Sequence, residues 1–146
     1  MTFDLERFVA AQKGVYQGAL RELHAGRKTG HWIWFIFPQL VGLGRSETSR
    51  FYGIVSIHEA RAYLDHPVLG PRLREFASTV LATSGETADQ VFGSLDAMKV
   101  RSSMTLFRRA APDEPLFEEV LQRFYGGVPD PITDTLLGKA GPPTQA

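Results

Sequence analysis

Three short stretches of the chain concentrate side chains able to do chemistry. In Gly26-Arg27-Lys28-Thr29-Gly30-His31-Trp32-Ile33-Trp34, two cations, a histidine and two tryptophans crowd around two glycines. Tryptophan and histidine faces stack on planar ligands, and lysine or arginine meets anionic oxygens. A purely structural account also exists: the indoles fill a core, and the basic pair complements the C-terminal dipole of a preceding helix. That account suits Arg27. Lys28, His31 and Trp34 are assigned to ligand binding, because so many aromatics beside polar groups exceed what a connector requires.

The second stretch is Phe37-Pro38-Gln39-Leu40-Val41-Gly42-Leu43-Gly44-Arg45-Ser46. Glycines leading into a capped helix start can form a cradle for an anion, with Gln39, Arg45 and Ser46 facing the ligand. The alternative is an ordinary turn with a serine N-cap. The spacing matches neither a Walker loop nor a dinucleotide fingerprint.

The third, Lys99-Val100-Arg101-Ser102-Ser103-Met104-Thr105-Leu106-Phe107-Arg108-Arg109, has four cations, no acid and three hydroxyls. On a helix, Arg101 and Thr105 share a face, and so do Ser102 and Thr105. Hydroxyls bring no helix propensity, so their clustering calls for either a close helix crossing or ligation. Lys99, Arg101, Ser102 and Thr105 are carried forward as candidate ligand contacts.

Candidate acids and bases are few. Glu47 and Glu59 are the candidate bases if the chain is a hydrolase, although both fall in first turns of helices. Asp96 reads as a helix cap. His24, His31, His58 and His66 are too scattered for a metal site, no serine elbow occurs, and no cofactor is predicted.

These stretches need elements to hold them. Residues 4–25 carry an apolar stripe through Leu5, Phe8, Gln12, Val15, Ala19 and Leu23, which predicts one long helix ended by Gly26. The aromatic run 31–38 breaks the helical period. It is expected to be an extended or irregular piece packed between helices, with pairing to Gly53-Ile54-Val55 as the alternative. Ser46, Ser56 (boxed with Glu59), Thr87 (boxed with Gln90) and Ser94 or Asp96 mark short helices. Gly70-Pro71 opens another, carrying Leu73, Phe76, Ala77 and Val80. Leu95, Met98, Ser102 and Leu106 line one side of a helix reaching about Ala110. Asp113 starts the last clear helix, ended by Gly126-Gly127, and a helical turn is expected within 132–137.

The fold class is therefore mainly α: a single compact multi-helix domain over 1–140, with one long N-terminal helix, several short helices and an irregular aromatic segment. Residues 141–146 are expected to be a flexible tail. At 146 residues, 43% hydrophobic and 22% charged, the chain suits one globular domain and not a disordered one. Equal numbers of basic and acidic residues, 16 each, argue against a general nucleic-acid binder. Without cysteine there is no disulfide, zinc ribbon or thiol catalysis. The acidic, polar start is unlike a secretory signal and no apolar run spans a bilayer, so a soluble cytoplasmic protein is expected.

Lys28 with His31–Gln39, Gly42–Ser46, Glu59–Gly70 and Lys99–Phe107 resembles a small bacterial and fungal family of unknown function. Some of its members carry the label "calpastatin". The resemblance runs from Phe8 to about Leu137 and implies a stand-alone, mainly helical domain without an established activity. The label is misleading, because calpastatin is an unstructured protease inhibitor and this composition is compact and aromatic. The order of short helices is also similar to helical domains that act on ADP-ribose-type N-glycosides, at the level of fold analogy only.

The function expected from these residues is binding, or hydrolysis at an N-glycosidic bond, of a small anionic ligand such as a phosphorylated nucleotide or ADP-ribose derivative. The alternative is a non-enzymatic module that binds a protein or nucleic acid. An exposed apolar patch at 32–37 would favour the module; a concave pocket would favour the small molecule.

Overall fold

The computed structural model describes residues 3–138, so the tail predicted over 141–146 lies outside the described residues. The helices in chain order are α1 (Glu6–Gln12), α2 (Tyr16–His24), α3 (Ile33–Ile36), α4 (Glu47–Phe51), α5 (Ile57–Asp65), α6 (Leu69–Ala82), α7 (Ala88–Phe92), α8 (Ser94–Ala110), α9 (Pro115–Tyr125) and α10 (Pro131–Leu136). Among the described residues none is long and apolar enough to cross a membrane. The fold is mainly α, built on one core around α8, which packs against α5, α7, α9 and α10.

The predicted long N-terminal helix is two helices. Lys13 leaves the helical region at ψ 124° and Gly14 turns through φ +81°, so α2 departs in a new direction. The apolar stripe continues through the break because both halves bury their faces: α1 packs against α3 and α2 against α6. Gln12 fixes the corner. Its buried amide donates to the Phe35 carbonyl at 2.7 Å and the Tyr63 hydroxyl at 3.1 Å, while Arg72 donates to its oxygen at 3.3 Å.

The aromatic run also departs from expectation. It is not extended: Ile33–Ile36 form one helical turn, with Ile33, Ile36 and Phe37 buried. The backbone pairing lies just beyond it, where Leu40 and Ile54 form an isolated parallel bridge. Ile54 N–H donates to the Gln39 carbonyl at 2.8 Å, and Val41 N–H to the Ile54 carbonyl at 2.9 Å. Edge-to-face rings then tie the layers together, with Phe8 against Tyr63 at 5.1 Å and Phe37 against Phe92 at 6.0 Å.

Several helix starts match the expected chemistry. Ser46 accepts from Ser49 N–H, and Thr87 and Gln90 form the reciprocal box. At α5 only half the predicted box exists: Ser56 accepts from Glu59 N–H, but the Glu59 carboxylate takes Val55 N–H at 2.8 Å instead. Gly93, at φ +81°, occupies the N-cap of α8, which frees Asp96 from that task.

The kink carries a test of sign. In one continuous helix, Gly14→Ala would stabilise the protein by about 1 kcal/mol. At φ +81° the alanine is forced into the left-handed region and is expected to destabilise it by about 1–2 kcal/mol. Urea-unfolding midpoints of the two proteins separate these outcomes.

Candidate functional site

The loop before α3 is anchored by a carboxylate. Glu22, on α2, accepts from Thr29 N–H at 2.8 Å, Gly30 N–H at 2.9 Å and the Trp32 indole at 3.0 Å. Burial pushes this carboxyl up, but the three donors outweigh it and hold it below the usual glutamate value. Trp32 is thereby a buried core residue, while Trp34, one residue pair further on, is only partly covered.

Asp96 joins that loop to α8. Its carboxylate meets Lys28 Nζ at 2.7 Å and Lys99 Nζ at 3.1 Å. The Lys28 side chain is 6% exposed and also donates to the Gly30 carbonyl. Burial raises the Asp96 pKa, yet the two ammonium groups win and keep it below the ordinary aspartate value. Lys99 lies over the Trp34 ring, 4.8 Å from its centroid. Gly44 leaves room for the edge of the indole: a Cβ there would sit 2.8 Å from Trp34 Cη2 and 2.7 Å from Ser49 Cβ.

Two adjoining cavities share Trp34 and Lys99. The first, about 380 Å³, is polar and is lined by Lys28, His31, Ser46 and Asp96 besides the shared pair. The second, about 290 Å³, adds Gln39, Arg101, Ser102 and Asp130 on its polar side. Its apolar side is formed by Leu43, Leu95, Met98 and Ile132. The second is close to the lower size of small-molecule sites, and the pair together lie well within that range. A larger cavity of about 700 Å³ lies at the α1–α2 corner beside Lys13, Arg21 and Arg72, away from all three sequence clusters.

The structure thus brings together Lys28, His31, Trp34, Gln39, Ser46, Lys99, Arg101 and Ser102. It does not bring in the remaining four candidates. Arg45 is exposed and lines neither cavity; only its carbonyl is used, by Arg50 at 2.5 Å. Thr105 is buried one turn further along α8, where its hydroxyl donates to the Arg101 carbonyl and accepts from Asp130 N–H, both at 2.8 Å. Glu47 is exposed in the first turn of α4 and lines neither cavity, although Ser46 and Thr48 on either side of it line the first. Glu59 is buried in an ion pair with Arg7 at 3.0 Å, so its carboxylate holds α5 to α1 and faces no cavity. The predicted glycine cradle is a serine-capped single turn, in which Gly44 makes space for Trp34.

Some of the assembled residues are already occupied. Arg101 donates to the Val128 and Pro129 carbonyls, each at 2.9 Å, and so fastens the segment leading into α10. Ser102 donates to the Met98 carbonyl at 3.1 Å and lies 3.2 Å from Asp130 Oδ2, which also caps Thr133. Gln39 differs. It is 3% exposed, and its Nε2 has no hydrogen-bond partner. A buried orphan donor costs about 1–3 kcal/mol.

Sequence reasoning missed Asp96, Asp130 and the apolar rim. Leu95 and Met98, expected on one side of the helix with Ser102 and Leu106, are 73% and 67% exposed while Ser102 and Leu106 are buried. The spacing of Asp96 to Lys99, one helical turn, was the available signal for the first. Asp130 stands between two prolines, Pro129 and Pro131, a helix-start signature that could have flagged it. Among the described residues no three histidine, aspartate or glutamate side chains gather to hold a metal ion.

The fold and site define a small all-helical protein with a tryptophan-walled groove between its aromatic loop and its longest helix. The chain belongs to the family described as protein of unknown function (DUF1810), whose model matches residues 2–137. It is similar to the conserved hypothetical protein Rv1873 from Mycobacterium tuberculosis, known from a crystal structure. The two share 50% identity over 93% of this chain and 97% of that one, with a TM-score of 0.91. No curated protein matches the chain significantly.

The Asp96 ion pairs have a pH signature. A carboxyl held below its unfolded value stabilises the fold at neutral pH and loses that contribution as pH falls through the acid range. Asp96→Asn is therefore expected to melt below the parent at pH 7, with the gap narrowing as pH drops below about 4. Thermal melts of both proteins from neutral to acid pH measure it.

Proposed function

We propose that this protein binds a phosphorylated nucleotide or ADP-ribose-like molecule along the groove that Trp34 and Lys99 divide. The observation that carries the reading is the meeting of three polar clusters, remote in sequence, on two cavities that share one indole and one ammonium. In this reading Trp34 and the apolar side of the smaller cavity hold the ring. Lys28, His31 and Lys99 face the phosphates, and Ser102 and Arg101 lie toward the sugar. Lys28, Lys99 and Arg101 oppose two carboxylates, Asp96 and Asp130, so the lining favours an anion modestly.

Binding is better supported than hydrolysis. A glycosidase needs carboxylates free to act at the sugar. Of the two that line the groove, Asp96 is paired with two lysines, and Asp130 caps α10 through Oδ2, so the groove offers no pair of unengaged carboxylates. The interaction module loses its main expected feature, because Trp32, Ile33, Ile36 and Phe37 are buried. Its remaining support is the exposed rim of Leu95, Met98 and Ile132.

Thermal-shift titration with ADP-ribose and nucleoside mono- and diphosphates tests the proposal. A ligand at a hundred times its dissociation constant stabilises the fold by about 2.7 kcal/mol. Trp34→Ala is expected to weaken that ligand about tenfold or more, since a stacked base contributes about 1–3 kcal/mol. Lys99→Ala is expected to act in the same direction. No shift across the panel, or unchanged affinity in both variants, rejects the reading. Strong binding of oligonucleotides that collapses with added salt would favour the module instead.

A further inference from the structure

We infer that Gln39 is the specificity-determining residue of the groove, reading the hydrogen-bonding edge of a heterocyclic ring seated in the smaller cavity. This rests on the proposed small-molecule reading and goes further, because it restricts the ring to one with polar edge atoms, as in a nucleobase.

The case begins with what holds Gln39 in place. Its backbone is clamped by the parallel bridge, with Ile54 N–H on its own carbonyl at 2.8 Å and Val41 N–H on Ile54 at 2.9 Å. Pro38 before it and Leu40 after it are buried. The side chain is 3% exposed and lines the cavity, with Nε2 buried and unpartnered. Exchanging the two amide atoms does not help, because an orphan acceptor then replaces the orphan donor. A leucine or methionine would fill this place without leaving a buried polar atom unpaired, so packing does not explain the amide.

The neighbours supply the rest of a ring subsite. Trp34 offers a flat face, and Leu43, Met98 and Ile132 an apolar surround. Asp130 lines the same cavity. Its Oδ2 is taken by Ser102 and Thr133, whereas its Oδ1 accepts nothing among the described residues. A ring entering here meets an amide without a partner and a carboxylate oxygen free to accept. The terminal torsion of a glutamine is soft, so the amide turns toward an acceptor placed before it. The complementary ligand edge carries an acceptor and a donor, which is what the pairing edge of a nucleobase presents and a hydrocarbon ring does not. Sites built to bond such groups reject analogues that lack them, because their own polar atoms are then left unpaired.

The test compares three proteins against three ligand types, all on the full chain. The ligands are the four nucleoside 5′-monophosphates, the benzimidazole riboside 5′-phosphate, which lacks the polar pairing edge, and ribose 5-phosphate as a control without a base. The proteins are the parent and Gln39→Met, with Gln39→Glu as a second variant that removes the donor and keeps the length. The parent is expected to bind at least one nucleotide about tenfold or more tighter than the benzimidazole analogue. Gln39→Met is expected to bind both alike, to keep its affinity for ribose 5-phosphate, and to melt no lower than the parent, since an orphan polar atom has been removed. Gln39→Glu should also lose the discrimination. If the parent discriminates and both variants still do, the assignment of Gln39 is overturned while the groove stands. If nucleotides bind no better than the benzimidazole analogue, ring-edge reading is overturned. If no member of the panel binds, this inference falls together with the function proposed above.

Discussion

One carboxylate makes the groove a groove. Asp96 sits between Lys28 and Lys99, and through them it draws the loop after α2 onto the first turns of α8. Lys28 could not stay so far out of water without a counter-charge, since burying an unpaired charge is costly; Lys99 is more exposed and shares the same carboxylate. With Asp96 in place, Lys28 lies over Trp32 and Lys99 over Trp34, so each indole is matched to a cation. The aromatic segment is gripped from the other end by Glu22, whose carboxylate gathers two amides and an indole. Between these two acids the loop has little freedom, and Trp34 is the aromatic side chain left facing both cavities.

The architecture around it follows from where α8 runs. Its buried face, from Val100 through Met104 to Phe107, belongs to the core. Its first turns emerge from that core with Leu95 and Met98 exposed. The same helix is a structural axis at one end and a cavity wall at the other. Arg101 marks the change, because its guanidinium leaves the axis to hold the carbonyls of Val128 and Pro129. That places Asp130 and Ile132 opposite Trp34 and closes the smaller cavity.

Much of this was legible in the residues, and the failures have physical causes. The helical class followed from apolar periodicity and from caps at Ser46 and Thr87, which are local and act the same way in any fold. The α1–α2 corner was not legible, because the stripe that Phe8, Val15 and Leu23 share is kept by both helices across the turn. The break falls at Lys13 and Gly14, where a lone glycine is a weak local signal, and the partners that Gln12 finds at the corner are remote in sequence. Cation-and-hydroxyl clustering picked out most of the groove's lining. It failed at Thr105, whose hydroxyl serves a neighbouring amide, and the separate reading of Glu59 as a base failed because its carboxylate pairs with an arginine. Residue type shows that a side chain wants a partner, and only the fold decides whether that partner is protein.

The ammonium over Trp34 has one more consequence. In the free protein Lys99 already covers one face of the indole, held there by Asp96 at its other side. A guest that uses this face does not land on bare aromatic surface; it displaces a tenant. What it gains is the difference between its own contact and the one it ends. Greasy rings that merely fit the space start at a disadvantage, while an anionic group that gives the evicted ammonium a new neighbour recovers the loss. The site thus screens its visitors by what they do for a lysine.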